Sequence, residues 1–340
     1  MTEARAEGPQ QPANLRCEYL RNPMGIETPR PRLSWWVSDD RRGAVQSAYR
    51  ILVASDPELL EEGRGDVWDS GKVASDRSIQ VEYDGPELRS RQCCWWKLRT
   101  WDADDTPSPW SEAARWEMGL LRAEDWSAEW IGMPREEATE AATYLRRAFE
   151  LDGPVVRARA YATALGVYEL RLNGQKVGDH VFPPGWTDYK KRVMYQTYDV
   201  TEMLREGENA LGAIVGDGWY CGRLGWGEKP EEGRFGGRPP RFLLQLEVEF
   251  EDGTSCRTVT DGSWRRSAGP ILRSDFYDGE RYDARLEMPG WDAPAYAADW
   301  QPVAVFGDPG IVRNAQQDPP IRVTEEFQPV SVEEASPGVH

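Results

Sequence analysis

The sequence predicts an all-β protein built of two consecutive β-sandwiches. Three observations carry this reading. Apolar and polar residues alternate over many short runs, as in AYRILVA (48–54), CWWKLRTW (94–101) and RFLLQLEVEF (241–250). That is the period of a strand with one buried face, and helical periods are nearly absent. Gly, Pro, Asn and Asp gather between the runs, most plainly at Asn173-Gly174, a pair that favours a two-residue hairpin turn. The chain also holds 16 Trp, large rings that fill a core from which helices are missing.

Residues 1–14 are polar and read as a disordered tail,. The first domain spans 15–120. A strand pair is expected over 15–24 and Arg32–Val37, with Pro29 and Pro31 keeping the link extended,. Ser47–Ala54 reads as a central strand, followed by a helical turn over Asp56–Leu60 capped by Ser55,. Val67–Val73 bends at Ser70-Gly71, and Ile79–Tyr83 follows. Cys94–Trp101 is the strongest strand, and Trp110–Trp116 closes the set. About seven short strands in roughly a hundred residues is the pattern of a fibronectin type III-like sandwich.

Residues 121–143 read as a connector, and the second domain spans 144–315. TYLRRAFEL reads as its edge strand. Residues 155–226 form its centre: alternation from Val155, a hairpin at Asn173-Gly174, a loop rich in Pro and Gly, the strand Ala210–Val215, and a second Gly-aromatic loop from Gly216. Loops of such length usually carry function. Arg241–Phe250, Cys256–Thr260 and Trp300–Val305 complete the strands. Residues 316–340 start a further element, with Arg322–Glu326 as strand, and then break off. The expectation is the front portion of a larger protein.

Composition narrows the partners. The net charge of -17 opposes nucleic acid and anionic membranes,. No run of apolar residues is long enough to span a bilayer, and MTEARAEGPQQPAN has no signal-peptide core, so the cytoplasm is the default location,. The five Cys (17, 93, 94, 221 and 256) lack the even count and spacing of a disulfide framework and read as buried thiols,. Only His180 and His340 are present, which excludes a histidine-rich metal site,.

Two clusters stand out as candidate sites. Asp217, Trp219, Tyr220 and Trp226 lie on the glycine-rich loop, with Trp186 and Asp188 on the loop facing it. Flat rings beside acidic side chains suit stacking on a sugar face with hydrogen bonds to its hydroxyls. Packing between elements accounts for the same residues without any ligand. Asp275, Asp278, Glu280 and Asp283 form the densest local set of carboxylates. They suit calcium or sugar contact, or simply a turn whose acids pair with Arg281 and Arg285.

LRCEYLRNPMGIETPRPRLSW, AYRILVAS and WDSGKV resemble the opening sandwich of the bacterial α-L-rhamnosidases, glycoside hydrolase family 78. YATALGVYELRLNGQKVGDHVFPPGWTDYKKRVMYQTYDVT, NALGAIVGDGWYCGRLGW and YDGERYDAR resemble the jelly roll that follows, a galactose-binding-like domain of carbohydrate-binding type. PPIRVTEEFQPVSV resembles the start of the next domain. The resemblance implies a parent enzyme that releases terminal α-L-rhamnose from glycosides with inversion, using glutamates on an (α/α)6 barrel downstream. No catalytic residue of that barrel can be placed here, so this chain is expected to be inactive, with no cofactor required. In some members the jelly roll binds rhamnose through calcium, which makes calcium a possible ligand. The expected partners are a rhamnose-containing glycoside or polysaccharide and the downstream domains. The alternative is a free-standing two-sandwich carbohydrate-binding or adhesion module.

Overall fold

The computed structural model describes residues 8–223, 237–297, 299–331, 333, 334 and 336. It is all-β and divides into two units between Ala128 and Glu129, with Met194–Tyr198 and Arg313–Gln317 grouped with the first.

The first unit has two sheets. One has three strands in the order Ala13–Cys17, Arg32–Trp36, Val81–Glu82. The other is antiparallel, in the order Trp68–Asp69, Ala48–Ala54, Cys93–Trp101, Ala114–Glu117, with Val73–Ala74 also on Ala48–Ala54. The alternation of Cys93–Trp101 maps directly onto burial: Cys94, Trp96 and Leu98 face inward, and the residues between them are half-buried. With Leu33, Trp35, Ile51 and Trp116 they form one apolar core. Tyr83 and Trp96 meet Trp116 edge-on, at 5.8 and 6.4 Å between ring centres, the arrangement the aromatic quadrupole favours.

Three expectations change in this unit. Asp56, not Ser55, caps the helix Pro57–Glu61: its Oδ1 accepts from the Glu58 N–H at 2.8 Å. Ser55 instead donates its hydroxyl to Asp66 at 2.7 Å. The first strand begins at Ala13, and Pro9 and Pro12 are buried, so the described part of the supposed tail packs on the domain. Residues 1–7 lie outside the described residues. The closing strand is Ala114–Glu117, shorter than the alternation indicated.

The second unit has two large sheets and a hairpin. The six-stranded sheet runs Gln175–Lys176, Val167–Leu172, Gly207–Gly216, Thr143–Leu151, Arg265–Ala268, Gln301–Pro302. The seven-stranded sheet runs Ala304–Phe306, Trp130–Gly132, Arg241–Phe250, Val155–Leu165, Arg192–Asp199, Val312–Ala315, with Ser255–Val259 against Arg241–Phe250. Tyr168 of the first sheet meets Phe242 of the second at 5.5 Å, and its hydroxyl donates to the Ala162 carbonyl. The hairpin pairs Ile271–Asp275 with Gly279–Tyr282.

Thr143–Leu151 is not an edge strand. It pairs with Gly207–Gly216 on one side and Arg265–Ala268 on the other. Its two arginines find acceptors within the protein. Arg146 donates to the carbonyls of Trp291, Ala293 and Pro294, and Arg147 to the Val259 carbonyl and Asp261. Half-buried guanidiniums are tolerated where their N–H groups find acceptors. Trp130–Gly132, inside the supposed connector, is a strand on Arg241–Phe250. Arg322–Glu326 takes no strand assignment and is exposed. None of the five cysteines is in a disulfide, and burial pushes the Cys94 thiol up to about 12. No described helix is long and apolar enough to cross a membrane.

Candidate functional site

Three loops of the second unit converge: residues 178–191, the short helix Gly218–Cys221 with its flanks, and the hairpin turn at 275–279. The packing of small residues sets their spacing. A Cβ on Gly216 would meet the Ser274 hydroxyl at 2.5 Å, and one on Gly222 would meet Asp275 Oδ2 at 2.8 Å. Gly218 has φ +51 and abuts Val167. Glycine alone allows this backbone to lie so close to its neighbours.

Aromatic rings from all three loops stack on one another. Trp219 lies 3.9 Å from Phe276 at an interplanar angle of 20°, and 5.9 Å from Trp186 at 23°. Phe182 meets Phe276 edge-on at 5.1 Å and has φ 56, a backbone conformation rare for such a residue,. Trp219 touches both other rings of this stack and is half-buried. Trp186 is its outer layer, 59% exposed. Phe182 is 49% exposed. Tyr220, buried, is turned away onto Tyr189 in a T-shaped contact at 5.4 Å. Trp226 lies outside the described residues.

The acidic residues follow a different logic. Asp217 is only 2% exposed and takes the Arg238 guanidinium on both oxygens, with Nε 3.1 Å from each. Burial pushes its carboxyl up, and Arg238 pulls it back without cancelling the effect. The bond to Asp217 in turn raises Arg238. The fork geometry, with guanidinium nitrogens on both oxygens, is that of an ionised pair. From Arg238 the charges alternate onward. Arg238 lies 3.7 Å from Glu140, Glu140 3.6 Å from Arg273, Arg273 2.6 Å from Asp278, and Asp278 2.7 Å from Arg223. Three carboxylates and three guanidiniums form one ladder across the loops.

Asp275 serves the backbone. Its oxygens accept the N–H groups of Arg223, Tyr277 and Asp278 at 2.8, 2.8 and 2.9 Å. Burial alone would raise it, but these three donors outweigh burial and hold the carboxyl below its usual range,. Glu280 is exposed, opposite Ser274 in the hairpin. Asp283 caps the turn Ala284–Leu286 and takes Arg285 on both oxygens. Asp188 accepts the Lys190 N–H at 3.2 Å and pairs with Lys191 at 3.1 Å. His180 is pulled down by burial and lies 3.8 Å from Asp179. Among the described residues no three His, Cys, Asp or Glu side chains converge to hold a metal ion.

The sequence therefore picked out Trp186 and Trp219 but not Phe182 or Phe276, which complete the stack, nor Arg238 and Glu140, which complete the ladder. Phe276 sits alone among polar residues, without a period to mark it. Arg238 comes 21 positions after Asp217, and no local pattern joins them.

A β-sandwich unit with a stacked aromatic surface and carboxylates paired to arginines is, by class, a candidate binding or packing domain. Residues 153–325 match the family model described as the α-L-rhamnosidase N-terminal domain, and residues 12–122 match the Rha78A-like N-terminal immunoglobulin domain. The chain belongs to the α-L-rhamnosidase family. It is 41% identical over 300 residues to an α-L-rhamnosidase of Formosa agariphila, covering 85% of this chain and 32% of the relative. It is 38% identical over 340 residues to one of Alteromonas sp., covering 96% and 36%. Among solved structures it superposes on the Streptomyces avermitilis α-L-rhamnosidase complexed with L-rhamnose, with a TM-score of 0.89 at 30% identity, covering 96% of this chain and 48% of that one. The α-L-rhamnosidase from Dictyoglumus thermophilum gives 0.88 at 35%, covering 96% and 38%. The chain thus spans between a third and a half of the length of these relatives.

Proposed function

We propose that this chain is the accessory, non-catalytic N-terminal portion of an α-L-rhamnosidase that releases terminal α-L-rhamnose from glycosides. In this reading the first unit is a fibronectin type III-like sandwich and the second a jelly roll of galactose-binding type. One observation carries the non-catalytic half: the charge ladder from Asp217 to Arg223. An inverting glycosidase needs one protonated carboxyl at the leaving oxygen and one free carboxylate to activate water, roughly 6.5–9.5 Å apart. Asp217, whose carboxyl is raised, is sealed beneath Arg238. Asp278 is held by two arginines, and Asp275 is lowered by three N–H groups. These residues serve to lock loops together, and the acid and base of the parent reaction belong elsewhere in the protein.

The aromatic stack is the part of this unit that suits a sugar. Trp186 offers the exposed ring, and Trp219 and Phe276 hold it from behind. A pyranose stacks its C–H face on such a ring, and the gain to the parent enzyme is a raised local concentration of substrate near its active site. Asp188, at the surface on the same loop as Trp186, can accept from sugar hydroxyls, directly or through calcium. The Streptomyces avermitilis enzyme, to which this chain is similar, was solved in complex with L-rhamnose. Its curated sequence aligns over 498 positions, more than the 340 residues of this chain, so it carries sequence with no counterpart here.

Calorimetric titration of the chain with L-rhamnose, with calcium and then with a chelator, tests the sugar contact. Heat that falls in Trp186→Ala is the expected result. Binding that is unchanged in Trp186→Ala would remove the stack from the site.

A further inference from the structure

We infer that the outer face of the three-stranded sheet in the first unit carries a second binding site, for a neutral pyranose, with Trp36 as its platform. This rests on the lining of that face alone and not on the activity proposed for the parent protein. Along Arg32–Trp36 the side chains alternate: Leu33 and Trp35 enter the core, while Ser34 and Trp36 face out. Trp36 is 64% exposed, and so is Ile79, with Tyr19 at 51%. Single exposed apolar residues are ordinary, but three around one hollow are not. They border a cavity of about 360 Å³ that also reaches Asn14, Arg16 and Gln80. Small-ligand sites begin at roughly 300 Å³.

The backbone is bent to make this hollow. The register between the first two strands slips between Ala13 and Arg16, where Asn14 has φ 50. Such bulges redirect a side chain and recur beside functional sites. Tyr19 and Gln80 also take left-handed backbones, at φ 67 and 53. One wall is fixed in advance. The Gln80 amide donates to the Tyr19 hydroxyl, Arg16 Nη1 donates to the Tyr19 carbonyl at 2.7 Å, and the Arg32 guanidinium lies 5.3 Å over the Tyr19 ring.

The lining selects the ligand class. No carboxylate borders the hollow, although the chain carries a net charge of -17. A metal cation therefore finds no carboxylate ligand, and the one arginine of the lining already donates to Tyr19. Asn14 Oδ1 accepts from Arg21 Nε and Nη2 at 3.1 and 2.6 Å, which leaves its amide N–H groups as donors. Ser34 Oγ accepts the Gln80 N–H at 3.1 Å and keeps its own proton to give. A purely aromatic guest would strand these polar groups, at the cost of desolvation. A pyranose matches both halves, with a C–H face for Trp36 and a rim of hydroxyls for Asn14, Ser34 and Gln80.

Saturation-transfer NMR on the 340-residue chain tests this with methyl β-D-galactopyranoside and methyl β-D-glucopyranoside, each up to about 20 mM, the weak range expected of one ring on an open site; the rhamnoside is left out because the Trp186 stack is its proposed site. At least one glycoside should bind. Trp36→Ala should weaken it by about tenfold or more, Gln80→Ala should weaken it less, and Trp186→Ala should leave it unchanged. Both variant sites in the first unit are at the surface, and circular dichroism checks that the fold is kept. No binding of any glycoside would overturn the inference. So would binding that persists in Trp36→Ala, and loss in Trp186→Ala alone would assign the sugar to the second unit instead.

Discussion

Trp219 lies face to face with Phe276, with ring centres 3.9 Å apart and planes 20° from parallel. These residues come from different loops, so the contact ties the short helix Gly218–Cys221 to the turn of the hairpin. Trp219 also stacks on Trp186, with ring centres 5.9 Å apart, and it is half-buried where Trp186 is 59% exposed.

That difference in burial separates stability from binding. Trp219→Ala should lower the unfolding free energy by about 2 kcal/mol, since it removes a half-buried indole and two ring contacts. Trp186→Ala should cost less than about 0.5 kcal/mol, as exposed substitutions usually do, while reducing the L-rhamnose heat. Urea unfolding followed by circular dichroism checks the first pair of values. Equal destabilisation by the two variants would show that Trp186 is structural as well.

Asp217 and Arg238 form the most deeply buried link of the charge ladder. Asp217→Ala leaves a guanidinium that is 18% exposed, with Glu140 3.7 Å away as its remaining carboxylate. Breaking a buried pair from one side costs about 3–5 kcal/mol, whereas replacing both members with apolar groups is often neutral. Urea midpoints should therefore fall sharply for Asp217→Ala and recover largely in the double variant Asp217→Leu, Arg238→Met. A double variant no more stable than the single one would mean that the ladder acts as a unit.

Asp275 gives the hairpin a dependence on pH. Its carboxyl is lowered in the folded protein, so its bonds contribute stability above the ordinary aspartate value of about 3.9. That contribution is lost as pH falls through the depressed folded value. Acid should therefore open the turn at 275–278 before the sheets, seen as faster amide hydrogen exchange at Tyr277 and Asp278 and a change in Trp219 emission. In Asp275→Asn the exchange should already be fast at neutral pH and should no longer respond to acid in this range. An acid response unchanged in that variant would assign it to another group.

The strands were largely legible in the sequence, because a period of two survives wherever one face is buried. Cys93–Trp101 and Arg241–Phe250 show this, as does the turn at Asn173-Gly174, with φ 52 and 84. Trp130–Gly132 was not legible, since three residues show no period. The position of Thr143–Leu151 inside its sheet was hidden as well: its arginines look solvated until their carbonyl partners, more than a hundred positions away, are known. The candidate site was half legible for the same reason. Composition marks Trp186 and Trp219 as loop tryptophans, but only tertiary structure shows which ring is covered and which is open. The carboxylates stood out by density, and density did not reveal that arginines from other loops neutralise them.

The most direct test of the non-catalytic reading is the release of p-nitrophenol from p-nitrophenyl α-L-rhamnopyranoside by the purified 340-residue chain. With Asp217, Asp275 and Asp278 all committed to structure, no release above the buffer blank is predicted, with or without calcium. Release that scales with protein concentration and disappears in Asp278→Asn or Glu280→Gln would contradict it, and would place the chemistry on the hairpin of the second unit.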